Sequence, residues 1–60
     1  MKSARINMLI AYLTELNKVG EMFTPSPDFD KAVIVALDML DIPFRRTVYG
    51  GGYAIELKEE

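Results

Sequence analysis

Sixty residues, half of them hydrophobic, carry seven basic and nine acidic side chains for a net charge of −2. That is the composition of one small globular domain over residues 1–60, and it argues against disorder and against non-specific binding of phosphate backbones. The chain has no Cys and no His, which excludes disulfides, thiolate metal sites and the commonest zinc ligand.

A domain of this size buries only ~60% of the surface of its unfolded chain. Its core rarely supplies more than roughly 3–5 kcal/mol of net stability, so a second subunit or another protein is the staple left to it. The longest apolar run, Ala32 to Leu37, is far short of a membrane span. Polar Lys2 and Ser3 follow Met1, and no small-residue cleavage site follows the apolar stretch Met8 to Leu13, so no export signal is read. We expect a cytoplasmic protein with no membrane contact.

The first predicted element is a helix over 3–19. Ile6, Leu9, Ile10, Leu13 and Leu16 fall at helical spacing. Ser3 suits the N-cap and Gly20 the stop. Met8, Tyr12 and Val19 flank this stripe and widen the apolar arc to about 200°, against the ~100° that one-sided packing needs. They either cover the core's edge or form a second contact surface. Residues 20–27 read as a linker whose Pro25 and Pro27 hold it extended, with Met22 and Phe23 tucked onto the core.

A second helix is predicted over 28–41. Ser26 or Asp28 is its N-cap, Pro27 suits N1, and Pro43 ends it. Phe29, Ala32, Val33, Ala36, Leu37 and Leu40 form the expected core stripe, widened by Val35 and Met39. Ile34 falls on the opposite side, among Asp30, Lys31, Asp38 and Asp41.

A hairpin closes the chain, with strands over 44–49 and 53–58 around Gly50, Gly51 and Gly52, which would supply the positive φ angles of a tight turn. Lys58, Glu59 and Glu60 read as a solvated tail. An even loop pairs Val48 with Tyr53, Phe44 with Leu57 and Arg45 with Glu56. One face is then apolar except for Arg46, which should reach an edge or meet an acid such as Asp38 or Asp41. The predicted fold is α+β, in the order helix, helix, hairpin.

Candidates for chemistry are few. Asp28 with Asp30 and Asp38 with Asp41 are carboxylate pairs, but on helix ends and a polar face rather than in a dry cleft. The glycine triplet lacks the following Lys and helix N-terminus of a phosphate loop. No catalytic, cofactor or metal site is read. The candidate partner-binding site is the hairpin tip: Arg45, Arg46, Tyr49, Gly50, Gly51, Gly52 and Tyr53. Arg and Tyr there suit a protein interface, or stacking on bases. Self-association is expected through Met8, Tyr12, Val19, Val35 or Met39, or through the hairpin's edge. The reading is a non-enzymatic regulator or inhibitor, a homodimer that occupies a protein surface. The alternative is a winged hairpin on nucleic acid, which the acidic balance disfavours.

Overall fold

A computed structural model describes residues 2–58. Its elements run α1 (Ala4–Val19), β1 (Glu21–Thr24), α2 (Pro27–Met39), β2 (Phe44–Tyr49) and β3 (Gly52–Leu57). The class is α+β, but the order is α-β-α-β-β. The expected linker over 20–27 contains a third strand, and the expected α-α-β-β order is corrected accordingly. β1 pairs antiparallel with β3, which becomes the centre of a three-stranded sheet ordered β1-β3-β2. The strand was hidden because its outward residue, Phe23, is apolar; four residues without clean alternation do not announce a strand. Among the described residues, no helix is long and apolar enough to cross a membrane.

Local chemistry sets the helix ends. Ser3 Oγ accepts from the Ile6 amide, and Gly20, at φ 94°, donates its N–H to the Leu16 carbonyl. Only glycine takes that left-handed conformation without strain. Ser26, not Asp28, caps α2, with Pro27 at the first helical position and Asp28 and Asp30 in the first turn. α2 ends at Met39, before the influence of Pro43 is needed. Asp41 adopts φ 56°, the Asp41 amide donates to the Asp38 carbonyl, and the Ile42 amide donates to that of Leu37. That is a Schellman cap with Asp where Gly is usual.

The core is Leu16, Met22, Val33, Leu37 and Ile55, with Leu9, Tyr12, Leu13, Ile34, Ile42, Phe44 and Leu57 packed around it. It joins both helices to one face of the sheet. Two expectations about α2 are corrected. Ile34 packs on the core, and Leu40 is the C-cap residue, 68% exposed. The buried face is turned toward Asp30, which is itself buried. On α1, Ile6 and Ile10 are exposed while Tyr12 turns inward. Its hydroxyl accepts from Thr24 Oγ1 (3.0 Å), which accepts from the Ser26 amide (3.2 Å). This chain satisfies a fully buried threonine, as buried polar groups require. Of the expected tail, Lys58 is exposed, and Glu59 and Glu60 lie outside the described residues.

Candidate functional site

The hairpin register is Phe44 opposite Leu57, Arg45 opposite Glu56, Arg46 opposite Ile55, Val48 opposite Tyr53 and Tyr49 opposite Gly52. The loop is therefore Gly50-Gly51. Neither glycine has a positive φ, and a Cβ on either would meet open space; the expected role for turn glycines does not apply. Gly52 is the constrained one. A Cβ there would lie 2.6 Å from Phe23 Cζ and 2.7 Å from the Thr24 carbonyl oxygen, inside any allowed contact.

Because side chains alternate along a strand, this register sorts the expected tip cluster onto two faces. Arg46 and Tyr53 point to the helices. Arg46 donates three hydrogen bonds to the Asp30 carboxylate, at 2.7–3.0 Å, and its guanidinium carbon lies 5.1 Å from the Tyr53 ring centre. The expected partners Asp38 and Asp41 are not used; Asp30 is one turn into α2 and faces the sheet. The hydrogen bonds to Asp30 raise the Arg46 pKa above its already high ordinary value, with burial acting against them and the charges of Asp30 and Tyr53 adding to them. A side chain held this way is a structural fastener and is lost to the candidate interface.

Arg45, Tyr49 and Gly52 belong to the opposite face, which α1 borders only at Glu15 and Val19 among the described residues. Across this face the rows read Glu21, Glu56, Arg45, then Phe23, Ala54, Thr47, then Gly52 and Tyr49. The central strand contributes only small residues beside the aromatics. Phe23 and Tyr49, from the two edge strands, therefore meet over it with ring centres 6.4 Å apart, tilted by 52°. Such tilted pairs are a favoured aromatic geometry. Both rings remain about half exposed, at 50% and 56%. A shallow concavity of about 610 Å³ runs from this pair to Glu15, Glu21 and the Arg45–Glu56 ion pair (3.0 Å). That ion pair is exposed on both sides, so it orients two charges and adds little stability.

Phe23, Thr47 and Ala54 complete the face and were not among the expected site residues. The signal for Phe23 was available: a large aromatic three residues after a helix-stopping glycine, next to a residue that must turn inward. Of the expected self-association residues, Tyr12 is spent on the inner contacts, its ring 5.5 Å from that of Phe29. Met8, Val19, Val35 and Met39 are exposed. Among the described residues, no cluster of three His, Cys, Asp or Glu could hold a metal. No family model, curated protein or solved structure matches the chain.

Proposed function

We propose that this protein is a non-enzymatic interaction module, a cytoplasmic regulator or inhibitor that works as a homodimer and occupies a surface of another protein. The observation that carries this reading is the uncovered sheet face with its exposed Phe23–Tyr49 pair. Aromatic rings give large contact area for little lost side-chain entropy, and an arginine beside them adds directional donors. The concavity between them offers shape rather than reactive groups: Asp28, Asp38 and Asp41 are exposed, and Asp30 is committed to Arg46.

The nucleic-acid alternative is weakened by the same geometry. A winged hairpin would need both arginines, and one is bound to Asp30; the other faces Glu56. Affinity capture from the native cell separates the readings, with wild type and Tyr49→Ala as baits. The proposal expects a protein retained by wild type and reduced on the variant, with both baits folded. Equal retention would remove the aromatic pair from the interface. Retention only of nucleic acid, released by moderate salt, would favour the alternative.

A further inference from the structure

α2 has a second apolar face. Ala32, Val35, Ala36 and Met39 recur at i, i+3, i+4 and i+7, the spacing of a helix–helix seam. Ala32 and Ala36 are half-buried at its inner margin, where Ala32 lines a small cleft with Ile6 and Leu9 of α1. Val35 and Met39 are 48% and 78% exposed, with nothing over them. Lys31 and Asp38, both exposed, lie two turns apart along the other margin, and neither is ion-paired among the described residues.

That margin is self-complementary. When two copies of such a helix cross antiparallel, the same margin of each meets the other in reverse order. An axis beside Val35 brings Lys31 of each copy against Asp38 of its partner, twice over, while Val35 meets its own copy. Parallel packing would put like charges together instead.

We infer that two copies of this chain pair through α2, antiparallel, about a two-fold axis beside Val35, with Lys31 of each facing the partner's Asp38. The seam rests on the dimeric reading above and leaves the aromatic sheet face free on both copies.

Sedimentation equilibrium of the full chain over the micromolar range, with helical circular dichroism to confirm folding, tests it. Wild type should sediment at twice its chain mass. Lys31→Glu should weaken the dimer about tenfold, since two surface attractions become two repulsions. Asp38→Lys on that background should restore affinity to within about threefold of wild type. Val35→Glu, at an exposed position, sets like charges together on the axis and should weaken the dimer on the order of a hundredfold. A wild-type monomer throughout the range overturns both the dimeric reading and the seam. A wild-type dimer indifferent to Val35→Glu and Lys31→Glu overturns the seam alone. A double variant as weak as Lys31→Glu overturns the antiparallel register.

Discussion

Asp30 and Arg46 show how one pair lets a charge be buried. A buried carboxylate is costly unless it is paired and hydrogen-bonded, and Arg46 meets that need with three contacts from two nitrogens, Nε and Nη2. The two partners are not equivalent. Arg46 keeps about a third of its side chain in water while Asp30 keeps almost none. Arg46→Met strands the carboxylate and should lower the melting temperature more than Asp30→Asn, which leaves a guanidinium able to reach solvent. Asp30→Leu with Arg46→Met should recover most of the loss, as buried pairs replaced by apolar residues usually do. Three thermal melts decide it; equal losses for the two single variants would contradict the asymmetry. The pH dependence has a definite sign. A raised Arg46 pKa contributes stability fully below the unfolded value and loses it only as pH rises through the folded one, so Arg46 stays charged throughout the working range. Gly52 is the second residue with a sharp expectation. Gly52→Ala drives a Cβ into Phe23 and the β1 backbone and should cost about 1–3 kcal/mol. Gly50→Ala and Gly51→Ala, in open space at negative φ, should be neutral or stabilising by up to ~1 kcal/mol. Chemical denaturation of the three variants measures this ordering.

At the scale of elements, the caps and the hairpin register were legible because their signals are local. Ser3, Gly20, Ser26 and Pro27 each act within one turn. The even loop follows from alternation over six residues per strand. What the sequence hid depends on partners far along the chain. β1 is a strand because β3 offers it an edge, and Asp30 can be buried on α2 because Arg46, sixteen residues away, pairs with it. The periodicity of α2 admits two apolar faces, one centred on Val33 and Leu37 and one on Val35 and Met39. The first is buried, as the spacing led us to expect, against Leu16, Met22 and Ile55. Leu37, in the core, should therefore be far more sensitive than Met39. Leu37→Ala should cost about 2–5 kcal/mol, as much as such a domain has to lose, and Met39→Ala within about 0.5 kcal/mol in the monomer. Comparable melts for the two would mean the faces are assigned the wrong way round. The candidate site was half legible for the same reason. Tyr49 and Arg45 were on the expected list, but Arg46 and Tyr53 belong to the inner face, and Phe23 reaches Tyr49 only through a strand the linker reading did not contain.

The whole molecule is a slab, 19 Å across its thinnest dimension, with two helices on one side of a three-stranded sheet. Two layers cannot cover four surfaces, so the sheet's far side and the outer side of the helices both meet water. On the first lies the Phe23–Tyr49 pair; on the second, Val35 and Met39. The proposed division of labour gives the helices to self-pairing and the sheet to a partner. That arrangement keeps two aromatic faces open per dimer and lets a small chain bind bivalently. The most direct test of the partner surface is a titration of isotope-labelled protein with the captured partner, followed by backbone amide shifts. The largest shifts should fall at Phe23, Thr47, Tyr49 and Ala54, with Arg46 and Val35 little moved. Shifts concentrated on α1 or α2, with these four unchanged, would contradict the proposed partner surface.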